Sequence, residues 1–261
     1  MNQFSVFLGV LTYEFRMQVR RRSIWITMTL IILLVLLLLS RTSGVDQVVN
    51  SLNHYPIQQV VVYWTDIVNA ILPIGVGILL ADRLPRDRKT KVDELFTSMP
   101  GALSIRLLGK YLGSMVATLV PMLIFYLLGL CVILYETQNS MALLIALEAF
   151  ATIVLPGIFF ISAFSIACPA IMWVPLYQFL FVGYWFWGNL LSPTSGIPTL
   201  NNTLLTPVGE YQSQGFFNVN IFQLPNATAL QGVESILSLL ALAAFAIFVL
   251  WGYLRITQAR L

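Results

Sequence analysis

The chain has 261 residues, of which 58% are hydrophobic and only 10% charged, with a formal net charge of +3. Soluble globular domains carry about 25% charged residues, so this composition excludes an ordinary soluble domain. It predicts an all-α polytopic membrane helix bundle.

Before the first apolar run, Phe4, Phe7, Leu8, Leu11 and Phe15 follow helical spacing on one side, and Thr12, Glu14, Arg16 and Gln18 take the other. That division predicts an amphipathic helix over residues 1–22, lying in the membrane interface with its apolar side toward the acyl chains. Arg20, Arg21 and Arg22 then meet the anionic inner leaflet. Each basic residue near that surface contributes about 1 kcal/mol. A cleaved signal peptide is disfavoured: the leader is long, and the run ends in Ser40, Arg41 and Thr42 rather than in small residues.

A span needs roughly 20 mostly apolar residues to cross about 30 Å of hydrocarbon. Six are expected, near 23–40, 58–80, 107–135, 141–167, 170–191 and 234–254, within a membrane domain covering 23–261. Stretch 141–191 holds one charge, Glu148, and is too long for one span; Pro169 is the natural divider. All fourteen Lys and Arg residues except Arg41 lie before the first span, in segment 81–110, or after the last. Basic residues stay on the cytoplasmic side, so both termini are expected inside a prokaryotic cytoplasmic membrane.

The cytosolic loop 81–109 opens at Pro85 and closes at Pro100 and Gly101. Between them Val92, Leu95, Phe96 and Met99 share a helical face. Asp87 and Lys91 are placed for an i,i+4 pair, and Ser104 for an N-cap of the third span. The outer loop 192–233 contains no Lys or Arg, and its apolar clusters (Phe216, Phe217, Ile221, Phe222) predict that part of it packs back on the bundle. Pro73, Pro121, Pro156 and Pro175 fall inside spans and permit kinks. The run Tyr184 to Trp187 reads as an interfacial aromatic belt.

Chemistry is sparse. No phosphate-binding G-x-x-x-x-G-K-[ST] motif exists, since Gly109-Lys110 is followed by Tyr111. The single His54 cannot build a metal site, and Cys131 and Cys168 read as small hydrophobes. Neither catalytic residues nor a metal site are expected. Asp66 and Glu148 each lie about eight residues into inward-running spans, about 10–13 Å below the outer face at 1.5 Å per residue. Ionisable groups at that depth line a bundle interior or a wet cavity. The pair is either a candidate conduit or a set of packing carboxyls helped by Tyr63, Asn69 and Ser162.

The acidic-basic run of the cytosolic loop, the helix containing Asp93-Glu94-Leu95, Pro100 and Gly109-Lys110-Tyr111 resemble the type-2 exporter permeases, membrane subunits of ATP-binding-cassette transporters. Glu14-Phe15-Arg16 before span one looks like that family's elbow helix; the resemblance covers about residues 10–25 and 80–115. It implies that Asp87, Val92, Asp93, Glu94, Leu95 and Phe96 form a coupling helix that docks on a separate ATPase subunit. ATP and Mg would then bind to that partner and no cofactor to this chain. A second permease chain, the same or related, and membrane lipids complete the expected partners; nucleic acid is not among them. The outer loop departs from the pattern, being longer than the short re-entrant hairpin usual in the family. Two other classes compete: a non-transporting scaffold that recruits a cytosolic partner, and an ion-driven secondary transporter using Asp66 and Glu148. The second is weakened by the lack of an internal repeat.

Overall fold

The long apolar runs become helices because a backbone out of water has to satisfy its own hydrogen bonds. The computed structural model describes residues 3–41, 55–89, 102–220 and 226–258. Among these residues there is no strand. The chain folds as α1 (Gln3–Val19), α2 (Arg22–Arg41), α3 (Ile57–Ala81) and the short α4 (Arg83–Lys89). Then come α5 (Leu103–Thr137), α6 (Met141–Ala149), a π-helical turn (Phe150–Val154) and α7 (Leu155–Ala167). Next is α8 (Val174–Tyr184) with a second π-helical turn (Trp185–Leu190), and finally α9 (Glu210–Phe217) and α10 (Ala229–Gln258).

Among the described residues, four continuous stretches are long and apolar enough to cross a membrane: Ile57–Asp87, Leu103–Thr137, Met141–Ala170 and Ala229–Thr257. The apolar part of α2, Arg22–Leu37, is shorter. The α8 helix with its π turn reaches only from 174 to 190. Cys168–Ala170 forms a 3-10 turn that ends the third stretch, so Pro169 does divide the long apolar run.

The axis of the bundle is α3. Its most apolar window is 67% buried, against 33% for α10 at the periphery. Val61, Val68, Leu72, Val76 and Leu80 of α3 meet Met115, Met122 and Tyr126 of α5, Val154 and Ile158 of the third stretch, and Leu250 of α10. Burying each such side chain contributes roughly 1.5–3 kcal/mol in water. Between helices already in lipid, close packing and polar contacts carry the association instead.

The prolines divide into two kinds. Pro73 and Pro121 lie inside α3 and α5. Pro156 follows the first π-helical turn inside the continuous stretch Met141–Ala170, whereas Pro175 stands in the first turn of α8 after the extended Trp173, where the missing N–H costs no intrahelical bond. Ser104 does not cap α5: Ala102 holds that position, with no side-chain hydrogen bond.

Helix α1 differs from its expected orientation. Phe7, Leu11 and Phe15 are only half-buried, Phe4 and Leu8 are exposed, and Glu14 and Gln18 of the supposed polar side are buried. The side chains turned inward face α5, where Gly113 lets the two backbones meet. A Cβ on Gly113 would sit 2.6 Å from the Leu11 carbonyl oxygen. Small residues at helix crossings serve this purpose in membrane proteins. The Trp25 indole donates to the Val19 carbonyl at 2.7 Å and braces the α1–α2 corner.

Part of the outer loop packs back as expected. Val208 is fully buried against Ile161, Tyr177, Phe181 and Trp185, while Phe217 and Val219 join Val62, Ala149 and Ile153. Of the other apolar positions in that loop, Phe216 is partly buried; Ile221 and Phe222 lie outside the described residues.

Candidate functional site

Polar side chains concentrate at two levels of α3. At the C-terminal end, four charged groups are buried together: Glu14 of α1, Arg83 and Asp87 of α4, and Lys110 of α5. The Arg83 guanidinium donates to both carboxylate oxygens of Glu14, from Nη2 to Oε1 at 2.7 Å and from Nε to Oε2 at 3.0 Å. Its Nη1 donates to Asp87 Oδ1 at 2.7 Å, and the Lys110 ammonium donates to Asp87 Oδ2. Bidentate, charge-assisted contacts of this kind are the strong ones. Burial pushes the Glu14 carboxyl above its ordinary range, and the charges of Arg83 and Lys110 offset part of that rise. Beside this node a half-exposed pair, Arg21 Nη2 to Asp82 Oδ2 at 3.0 Å, ties the start of α2 to the end of α3.

Asp87 is therefore not a free docking contact. It is 4% exposed and held by Arg83 and Lys110, where the sequence offers it Lys91 as a partner and the resemblance an ATPase subunit; Lys91 lies outside the described residues. Two cations, on α4 and α5, each hold one of its carboxylate oxygens and draw it inward. Val92, Asp93, Glu94, Leu95 and Phe96 lie outside the described residues. Arg16, the last of the elbow residues, is exposed.

Nearer the N-terminus of α3, Asp66 and the mid-helix Asn69 meet the segment leading into α9. Asp66 is 1% exposed, and its Oδ1 accepts the Ser213 hydroxyl at 2.7 Å. The Asn69 amide donates to the carbonyls of Pro207 at 3.1 Å and Val208 at 2.7 Å. The loop backbone enters here because Gly157 of α7 leaves room: a Cβ there would lie 2.3 Å from the Pro207 carbonyl oxygen. Glu210 opens α9, buried, its Oε2 accepting the Asn202 backbone N–H at 2.9 Å. Burial pushes the Glu210 carboxyl up to about 7, the Asn202 N–H opposing that rise.

Glu148 stands elsewhere. It is exposed, since α6 buries its Ala142, Ala146 and Ala149 face instead. Asp66 and Glu148 thus occupy different environments and do not line one cavity. Of the packing partners named from sequence, Asn69 and Ser162 are buried and Tyr63 is exposed. Among the described residues, no group of three or more His, Cys, Asp and Glu stands close enough to hold a metal ion.

A cleft of about 500 Å³ opens between the start of α5, α7 and α10, lined almost wholly by apolar side chains, Leu108, Tyr111, Phe159, Leu240 and Trp251 among them. Arg255 lies 5.4 Å above the Trp251 ring next to it.

Sequence reasoning missed Arg83, Lys110, Glu210 and Ser213. For Glu210 a signal existed, because it is the one charged residue in segment 192–233. For Arg83 and Lys110 there was none: their charge fits topology equally well, and Glu14 is 69 positions from Arg83. No protein-family model matches the chain, and no curated protein aligns with it significantly.

Proposed function

We propose that this chain is the membrane-spanning permease subunit of an ATP-driven exporter, coupled to a separate ATPase subunit through the segment between α4 and α5. In this reading α2 and α8 with its π turn add two spans to the four long stretches, both termini face the cytoplasm, and two permease chains form the conduit. ATP and Mg belong to the partner ATPase.

The observation that carries the reading is the buried node of Glu14, Arg83, Asp87 and Lys110. It locks α1, α4 and the start of α5 together on either side of residues 90–101. A force applied to that segment would be passed to α3, which leads into α4, and to α5, because packed and ion-paired elements move as units. The coupling role of Val92, Asp93, Glu94, Leu95 and Phe96 rests on the family resemblance.

Mild-detergent affinity purification at native expression tests the proposal. A soluble ATPase should co-purify at about one copy per permease. Glu94→Lys with Phe96→Ala should abolish that association while membrane insertion stays intact, because an apolar contact is removed and a flanking charge reversed. A folded double variant that keeps its ATPase would sink the loop assignment.

A further inference from the structure

We propose that Asp66, Asn69 and Glu210 form a binding site for a monovalent metal cation of sodium size, which ties α9 to α3. Three features of the buried contact lead there, and they go beyond the exporter reading.

The first is an excess of acceptors. Asp66 Oδ2, Asn69 Oδ1 and Glu210 Oε1 are buried with no hydrogen-bond partner. The Asn69 orientation is fixed by its surroundings: its NH₂ group faces the carbonyls of Pro207 and Val208, so the atom left without a partner is the oxygen. Gln212 repeats the pattern. Ser235 gives its hydroxyl hydrogen to Leu204 O and so accepts from Gln212 Nε2, which leaves Gln212 Oε1 without a donor. Buried polar groups are normally satisfied, and here every missing partner is a donor or a cation.

The second is register. Asp66 and Asn69 lie one turn apart on α3, and the facing chain runs antiparallel: Ser213 meets Asp66 and Val208 meets Asn69. Glu210 is buried and falls between those two contacts along the chain.

The third is that, among the described residues, no protein countercharge faces the contact. Segment 192–233 has no Lys or Arg. The groups packed around α9 add none: Asp66 is the ionisable group from α3, Tyr211 is neutral, Phe150–Val154 carries no charge, and Glu234 of α10 is acidic and exposed. Two carboxylates with amide oxygens are hard ligands. With no third carboxylate among the described residues, they suit a monovalent ion better than a divalent one.

The full-length protein in detergent, held at constant ionic strength, tests this by thermal unfolding followed through tryptophan fluorescence. At pH 8, replacing choline chloride by sodium chloride should raise the midpoint saturably, by at least about 3 °C. At pH 5.5, below the value of about 7 to which burial raises Glu210, a proton occupies that carboxyl and the sodium effect should be lost. Asp66→Asn and Glu210→Gln should each abolish the response to sodium. Equal midpoints in choline and sodium at pH 8 would overturn the proposal and leave protons as the sole occupants. A response to calcium but not to sodium would overturn the monovalent assignment. A sodium response that survives in Asp66→Asn would place the ion elsewhere and overturn it as well. Should either variant fail to fold, the competition between sodium and protons in the unaltered chain still decides.

Discussion

Toward the two ends of α3, carboxylates are buried in opposite ways. Near Asp82, Glu14 and Asp87 are matched by Arg83 and Lys110, the two buried cations among the described residues. About 24 Å along the same helix, at 1.5 Å per residue, Asp66 and Glu210 are buried with hydroxyl and amide neighbours and, among the described residues, no base. A balanced cluster carries its own countercharges, and Arg83 and Lys110 offset part of the rise that burial imposes on Glu14. An acidic one depends more on what the solution supplies, so the α9 contact should respond to protons and cations more than the α4 contact does. In an exporter, that contrast would set a rigid joint toward the ATPase against a condition-sensitive cap at the far face.

The sharpest way to break the comparison is to remove a cation from the balanced end. Arg83→Met should destabilise the protein by about 3–5 kcal/mol, the usual loss when one member of a buried ion pair is removed. Glu14→Leu with Arg83→Met should recover much of this, because Asp87 keeps Lys110 and no unmatched charge is left. Denaturation of both variants in detergent checks it. If the double variant is no better than the single one, the node acts by packing and its charge balance is incidental.

The acidic end should respond with the opposite sign. Glu210 has its folded-state pKa raised to about 7, above an ordinary value of about 4.3. Stabilisation from the protonated form is therefore complete below the ordinary value and lost as pH rises through 7. Each tenfold gain in proton affinity on folding is worth about 1.4 kcal/mol, so in sodium-free buffer the protein should lose roughly 3 kcal/mol between pH 4 and pH 8. Glu210→Gln keeps an oxygen for the Asn202 N–H and should flatten that dependence, making the variant the more stable form at pH 8. A pH profile unchanged by the substitution would mean that Glu210 does not titrate in this window.

Both ends are only half legible in the sequence. The helices are, because an apolar run long enough to cross a bilayer has one way to satisfy its backbone. Asp66 is legible as a buried acid for the same reason. On α1, periodicity separates Glu14 and Gln18 from the apolar residues but places them on the solvated side. A hydrophobic pattern does not distinguish a polar face turned to water from one turned to a buried base, and Arg83 lies too far along the chain to reveal the pairing. Asp87 has a basic residue four positions away on either side, Arg83 and Lys91, and spacing alone does not choose between them; the distant Lys110 gives no sign at all. The pairing of Asp66 with Glu148 comes from equal depth alone, and depth carries no azimuth. The azimuth of α6 is set by Ala142, Ala146 and Ala149, small residues that let α3 approach and so turn Glu148 outward.

That last point gives the smallest expected effect and a clean test of which acid Asp66 answers to. Asp66→Asn and Glu148→Gln should be additive, their combined change in unfolding free energy matching the sum of the singles within about 0.5 kcal/mol, as for sites without shared partners. Asp66→Asn with Ser213→Ala should depart from additivity, because the hydroxyl and the carboxylate share a 2.7 Å hydrogen bond and coupled neighbours interact by about 0.5–3 kcal/mol. The two cycles use the same Asp66 variant, so a general loss of fold would move both equally. Only the partner differs. Coupling to Glu148 without coupling to Ser213 would reverse the comparison, returning Asp66 to a shared route through the bundle and removing it from the contact that holds α9.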